Sequence, residues 1–124
     1  DPAIIGYLVR EAGMTLEDVE HMLLHEAGLK GVSGISRDMR TLLSAEAEGN
    51  ERAKLAVTMF CDRVKHDLGG YLARLGGADA IVFGGGIGEN SPEIRSRICQ
   101  GMEWAGLRAD SARNQQLVGW TKSG

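Results

Sequence analysis

The strongest chemical signal in the chain is a run of three glycines that follows a short apolar segment. Gly84-Gly85-Gly86 comes after residues 79–83, and Glu89 and Asn90 follow before a helix start at Ser91. Glycines at the carboxyl end of a buried strand let a ligand approach the main chain, because they carry no Cβ atom. The segment therefore predicts a ligand site, with a tight turn that binds nothing as the alternative.

The residues around these glycines favour one end of a nucleotide over the other. Glu89 stands where a dinucleotide fingerprint has its third glycine, and its carboxylate would repel a pyrophosphate. A Walker loop is excluded as well, since no Gly-Lys-Ser or Gly-Lys-Thr follows the run. We expect the main chain to lie against the base or sugar, with the side chains of Glu89 and Asn90 bonding to the ribose.

A second candidate site lies in residues 33–40, where a glycine-containing approach leads into a helix start. Asp38 stands there between Arg37 and Arg40. A guanidinium can stack on a base or pair with a phosphate. The alternative is a capped surface helix with a solvated ion pair, which is the more common arrangement.

Two further pairs of titratable residues give weaker signals. His21 and His25 are spaced i, i+4 on one helix face, but no third metal ligand stands nearby in the sequence. His66 and Asp67 are sequence neighbours that point about 100° apart on a helix, so they are not expected to face each other. We expect a solvated helix face in the first case and no catalytic dyad in the second.

The elements that must position the candidate sites are mostly helices. Apolar residues recur at steps of three and four, and glycines end these patterns. Helices are expected between Pro2 and Gly13, between Thr15 and Gly28, over 38–48, over 51–75 with Asn50 as N-cap, and between Ser91 and Gly106 with Ile94, Ile98, Met102 and Ala105 as its buried face. The segment from Gly28 to Arg37 is predicted to be a turn-rich connection, with a short strand within it as an alternative, and Leu117, Val118 and Trp120 suggest a strand start.

Residues 79–83 are predicted to form a strand, because this run is too short for a helix and too apolar to alternate. A strand buried on both faces needs hydrogen-bonded neighbours, yet the chain offers only one convincing strand. The rest of the sheet must come from upstream sequence or from another copy. We therefore expect an α/β fold, with residues 1–124 as a helix-rich single partial domain that contains few strands.

The composition is that of an ordinary globular protein. The 124 residues are 43% hydrophobic and 25% charged, with a formal net charge of −3. No Lys/Arg run is present, so neither nucleic acid nor a membrane is expected as a partner. Cys61 and Cys99 belong to no CxxC motif and no signal peptide opens the chain, which favours reduced thiols in the cytoplasm. The first residue is Asp1 rather than Met, as expected of a piece of a longer chain.

Taken together, several motifs resemble the carboxyl-terminal half of acetate kinases, in one register from Asp1 to about Asn114. The segments that carry the resemblance are Ser33-Gly34-Ile35-Ser36, Asp38-Met39-Arg40, Ile81-Val82-Phe83 and Gly86-Ile87-Gly88-Glu89-Asn90-Ser91, with Asp1-Pro2, residues 52–56 and residues 75–80 as further matches. The resemblance implies part of a ribonuclease H-like domain of the actin-like, sugar-kinase ATPase superfamily.

This resemblance also implies an activity and a set of site residues. The implied enzyme is a homodimer that uses Mg²⁺ and transfers phosphate between ATP and acetate, giving acetyl phosphate and ADP. One wall of its nucleotide site would be Asp38, Met39 and Arg40. The other wall would be Gly86, Ile87, Gly88, Glu89 and Asn90.

Two departures from the family limit what the chain is expected to do alone. Gly84 stands near where the family usually has Thr, so a bond from that hydroxyl is in doubt. The family's catalytic arginines, histidine and aspartate and its acetate pocket would lie before Asp1, and its Mg²⁺-linked glutamate after Gly124. We expect no catalytic residue and no metal ligand in this chain, which would be inactive by itself. A propionate or butyrate kinase and a non-catalytic nucleotide-binding or assembly module remain as alternatives.

Overall fold

The computed structural model describes residues 1–116, and the regular structure in that range is helical. The chain divides into two compact units, Asp1–Val57 and the residues from Thr58 onward. The first unit contains α1 (Ala3–Arg10), α2 (Leu16–His21), a π-helical turn (Met22–Glu26), α3 (Gly28–Ser33), α4 (Met39–Ala47) and the start of α5 (Glu51–Leu75). The second contains the rest of α5, α6 (Gly85–Asn90), α7 (Pro92–Cys99), a 3₁₀ turn (Glu103–Ala105) and α8 (Ser111–Gln116).

Side-chain caps start three of the predicted helices. Before α2, the hydroxyl of Thr15 accepts from the Asp18 amide at 3.1 Å, and the Asp18 carboxylate accepts in return from the Thr15 amide at 3.3 Å. Before α5, the carboxamide oxygen of Asn50 accepts from the Ala53 amide at 2.9 Å. The hydroxyl of Ser91 accepts from the amide of Ile94 at the start of α7. These caps satisfy amides that a helix leaves unpaired in its first turn, and the helix starts predicted at Thr15, Asn50 and Ser91 are confirmed.

The predicted turn after Gly28 is wrong in its first half, because residues Gly28–Ser33 form α3. Glycine is a poor helix former, so this helix depends on contacts from outside it. Arg52 supplies them, since its guanidinium donates to the carbonyl oxygens of Val32 at 2.9 Å and Gly31 at 3.2 Å. Gly34 then ends α3 in the left-handed conformation, with φ at +71°.

The strand predicted at residues 79–83 is not formed in the described part of the chain. Ile81 and Phe83 line an open cavity of about 290 Å³, while Val82 between them is 89% exposed. The side chains thus alternate in direction as in a strand. A strand is nevertheless absent, and the expected burial of both faces is wrong, since the described residues provide no neighbouring strand for hydrogen bonds.

Helix α7 is shorter than predicted, because it ends at Cys99 rather than just before Gly106. Gly101 follows with φ at +78°, a left-handed conformation that a helix does not continue through. Ile94, Ile98 and Met102 are buried as expected, but Ala105 is exposed. The strand start predicted at Leu117, Val118 and Trp120 lies outside the described residues.

Candidate functional site

In the first unit, Asp38 and Arg40 form a hydrogen-bonded ion pair at the start of α4. One carboxylate oxygen of Asp38 accepts from the Arg40 amide at 2.8 Å and from its Nε at 3.2 Å, and the other accepts from Nη2 at 2.7 Å. Asp38 therefore caps the helix and holds the guanidinium through both of its oxygens. The Arg40 side chain is nevertheless 91% exposed. Its planar face is exposed, as stacking on a base requires, while two hydrogen bonds to Asp38 restrain its orientation.

The same contacts determine the ionisation of Asp38. Hydrogen bonds from the Arg40 side chain and then from its amide lower the pKa of the carboxyl from 3.8 to about 2. The pair therefore carries both charges throughout the neutral range. Met39 between them is only 4% exposed as a whole residue, so it packs in the core and presents almost no surface to a ligand.

In the second unit, the predicted glycine turn is a short helix. Gly84 precedes α6 in an extended conformation, and Gly85 begins it with φ at +73°. A Cβ atom added at Gly84, Gly85 or Gly86 would meet no other heavy atom within 4 Å. The main chain of the glycine run therefore borders open space, as the predicted close approach of a ligand requires.

Glu89 and Asn90 turn back onto their own helix. One oxygen of Glu89 accepts from the Gly85 amide at 3.1 Å, and the Asn90 carboxamide donates to the Gly86 carbonyl at 2.9 Å. A carboxylate is thus hydrogen-bonded to the first amide of α6, which would discourage a phosphate at the same place.

The two remaining residues of the predicted segment have packing roles. Ile87 is half-buried. Gly88 approaches Phe83 so closely that an added Cβ would lie 3.3 Å from the Phe83 carbonyl carbon. Glycine at position 88 therefore allows α6 to lie against the preceding segment, whereas the glycines at 84–86 border open space.

Sequence reasoning missed Arg95, which connects α6 to the two helices that follow it. Although it is an arginine, it is only 8% exposed. Its Nη1 donates to the carbonyl oxygens of Gly88 and Glu89, both at 2.8 Å. Its Nε and Nη2 donate to the side-chain and main-chain oxygens of Asn114, both at 2.7 Å. One signal was present in the sequence, because Arg95 lies beside Ile94 on the apolar face of α7.

The weaker candidate pairs are exposed. The rings of His21 and His25 have centroids 4.8 Å apart. His66 and Asp67 do meet, with Nδ1 and Oδ1 3.2 Å apart, so the expectation that they do not face each other is wrong. Flexible side chains can bridge the angle between helix neighbours, and this contact lowers the pKa of Asp67.

Residues 1–116 contain no group of three His, Cys, Asp or Glu side chains arranged to hold a metal ion. In the same range, no helix has the length and apolar character needed to cross a membrane.

Known proteins place the chain in one family. The Acetokinase family model matches residues 1–122. The acetate kinase of Solibacter usitatus is 48% identical over 120 residues, which are 96% of this chain and 29% of that protein. The propionate kinase of Citrobacter rodentium is 45% identical over 116 residues, 94% of this chain and 29% of that protein. This chain therefore spans less than a third of the length of these relatives.

A solved structure extends the comparison to the fold. The crystal structure of Porphyromonas gingivalis acetate kinase superimposes with a TM-score of 0.86 at 38% identity, covering 97% of this chain and 30% of that one. The expected helix-rich part of an actin-like ATPase fold is therefore confirmed. The motifs, the fold and the match over nearly the whole chain lead to one conclusion: the chain belongs to the acetokinase family.

Proposed function

We propose that this chain is the nucleotide-binding part of an acetate kinase, which transfers phosphate between ATP and acetate to give acetyl phosphate and ADP. Family membership and the acetate kinase relatives support the reaction class. The groups that act on the transferred phosphate and bind acetate belong, in this proposal, to parts of the enzyme outside the chain. The chain contributes residues that bind the rest of the nucleotide.

The observation that carries the proposal is the orientation of Arg40. A fully exposed arginine normally samples many rotamers, and fixing it for a ligand has an entropic cost. Two hydrogen bonds from the guanidinium to the Asp38 carboxylate already restrict these rotamers, which lowers the entropic cost of binding. We propose that the face of Arg40 stacks on the base, with Asp38 holding the guanidinium in place and Met39 anchoring the start of α4 in the core.

The segment Gly86–Asn90 contributes through its main chain. The open space beside Gly84, Gly85 and Gly86 supports contact between the glycine backbone and the base or ribose. Glu89 and Asn90 bond to Gly85 and Gly86, so we propose that they also shape this surface. Ile87 and Gly88 complete the segment by packing it against its surroundings.

ATP and ADP are the proposed ligands, and Mg²⁺ is proposed to accompany them. When bound, Mg²⁺ neutralises charge that develops on the transferred phosphoryl group. We propose that its protein ligands lie outside this chain. Cys61 and Cys99 are buried and form no disulfide with each other in the described part of the chain, which supports the proposed cytoplasmic location. A homodimer is proposed from the family resemblance.

Substitution of Arg40 by Ala in the complete enzyme tests the assignment. We expect the KM for ATP to rise about tenfold, since the stacking contact between the guanidinium and the base is lost, while the KM for acetate changes less than about twofold. Arg63→Ala is the matched control, because Arg63 also pairs with an aspartate, Asp67, on an exposed helix face. An equal effect of Arg40→Ala on both substrates would show that Arg40 is not part of a nucleotide site.

A propionate kinase is the second candidate, and the 45% identity to the Citrobacter rodentium propionate kinase favours it over a butyrate kinase. The acyl group is proposed to bind outside this chain. Turnover of the complete protein with acetate, propionate and butyrate, compared as kcat/KM, therefore decides between them. A complete protein that binds ADP but turns over none of the three would instead be a non-catalytic nucleotide-binding module.

A further inference from the structure

Helix α6 has little intrinsic stability. It contains six residues, three of which are glycine, and isolated helices of this length do not persist in water. Its last carbonyl groups have no partner within the helix, as at every helix end. The orientation of its main chain must therefore be set by groups outside it.

Arg95 supplies those groups from the next helix. Its guanidinium donates to the carbonyls of Gly88 and Glu89 at one end of the fork and to Asn114 at the other. Asn114 in turn donates from its carboxamide to the carbonyl of Pro92 at 2.8 Å. One buried side chain thus connects α6, α7 and α8 through hydrogen bonds from a charged donor, which are stronger than neutral ones.

We propose that Arg95 and Asn114 are positioning residues, which hold the main chain of Gly85–Asn90 in the conformation that binds nucleotide. The inference rests on the proposed function. Neither side chain needs to touch the nucleotide, because each acts through the helix carbonyls or through the other. The fork geometry is essential, since the donors on Arg95 point in different directions and reach two groups at once.

Three substitutions separate this role from a general contribution to folding. Arg95→Lys keeps the positive charge, but the compact ammonium group cannot reach α6 and Asn114 together. Asn114→Asp keeps the oxygen that accepts from Arg95 and loses the donor to Pro92. Asn114→Ala removes both the side-chain oxygen that accepts from Arg95 and the donor to Pro92. Arg113→Ala is the matched control, because Arg113 precedes Asn114 on α8 and pairs with the exposed Asp110 at 4.0 Å.

In the complete protein, we expect Arg95→Lys and Asn114→Ala to raise the Kd for ADP by about tenfold or more, since small displacements of binding groups have large effects. Asn114→Asp should bind ADP more tightly than Asn114→Ala. The KM for acetate should change less than about twofold, and Arg113→Ala should match the unmodified protein. If the double variant Arg95→Lys/Asn114→Ala is no worse than the worse single variant, the two residues act as one unit.

Amide hydrogen exchange without nucleotide gives a readout that does not depend on activity. We expect faster exchange at residues 85–90 in Arg95→Lys and Asn114→Ala, with little change in the buried part of α5. An unchanged Kd with unchanged exchange would overturn the proposal. So would a parallel rise in the ADP Kd and the acetate KM with a general loss of thermal stability, because that pattern describes a residue needed only for folding.

Failure of the proposed function would give a different result from failure of the positioning role. In that case the unmodified complete protein itself would not bind ADP. If the unmodified protein binds ADP and the variants bind it equally well, the positioning role alone is wrong.

Discussion

At the residue scale, the pair Asp38 and Arg40 combines exposure with a fixed geometry. Two hydrogen bonds from the guanidinium to the Asp38 carboxylate restrain the Arg40 side chain without burying it, and the Arg40 amide donates a third. Sequence reasoning could find this pair, because an aspartate at a helix start and a nearby arginine are local features. It could not find the burial of Met39 or the role of Arg95, since both depend on residues distant in the chain.

The pKa of Asp38 provides a direct test of this pair. Its carboxyl should titrate at about pH 2 by NMR, well below the ordinary value of 3.8. In Arg40→Ala the midpoint should move upward only part of the way, because the amide of residue 40 still donates to the carboxylate. Arg63→Ala should leave it unchanged. A midpoint of about 2 in Arg40→Ala would show that the side-chain contact does not cause the shift.

The direction of this shift determines its effect on stability. A carboxyl with a lowered pKa in the folded state contributes stability above its unfolded pKa of about 3.9, and this contribution is lost as the pH falls through about 2. Between pH 5 and 8 Asp38 stays ionised in both states. Changes in ADP affinity across that range should therefore be the same in the unmodified protein and in Asp38→Asn, apart from a constant factor.

At the element scale, α6 shows that glycines in one short helix can serve two purposes, an open surface for a ligand and close packing. Gly86 borders open space, and Gly88 lies against the main chain of Phe83. The sequence suggested a ligand-binding turn here, but the low helix propensity of glycine concealed the helix. The same property concealed α3, which Arg52 stabilises from a distance. Helix α5, by contrast, was predictable because its cap and its periodic apolar face are both local.

Gly86→Ala should increase the stability of the fold and weaken the binding of ADP. Ala is a better helix former and would meet no other atom, so we expect the free energy of unfolding to rise by about 0.5–1 kcal/mol. The new methyl group should at the same time weaken ADP binding severalfold in the complete protein. Calorimetry and direct titration measure the two effects.

Gly70→Ala is the matched control, since Gly70 is exposed on α5 and an added Cβ there also meets open space. It should increase stability without changing the affinity for ADP. An affinity unchanged by Gly86→Ala would argue that the glycine backbone does not contact nucleotide.

At the scale of the whole molecule, the chain exposes many large apolar side chains. Leu24, Tyr71, Leu75, Val82 and Trp104 are among them. The strand predicted at residues 79–83 would have presented unpaired edges for association, but the described residues form no strand. The exposed apolar side chains are a better reason to expect association, since burying apolar surface is favourable by about 25 cal/mol per Å².

The 124-residue chain by itself should therefore self-associate. We expect its sedimentation coefficient to increase with concentration, and the double variant Leu75→Lys/Val82→Lys to shift the distribution toward monomer. Glu11→Lys, a charge change at another exposed site, is the control and should have little effect. A concentration series in which the unmodified chain remains a cooperatively unfolding monomer would contradict this prediction.

The hydrogen bonds between Arg95 and Asn114 also decide where the chain can be shortened. Asn114 lies 19 residues after Arg95 and far from any glycine motif. A protein cut before residue 114 would keep every residue of the Gly86–Asn90 segment but lose the hydrogen bonds between Arg95 and Asn114. A gene product truncated there would look intact to a motif search, although its glycine segment could no longer be held from α8.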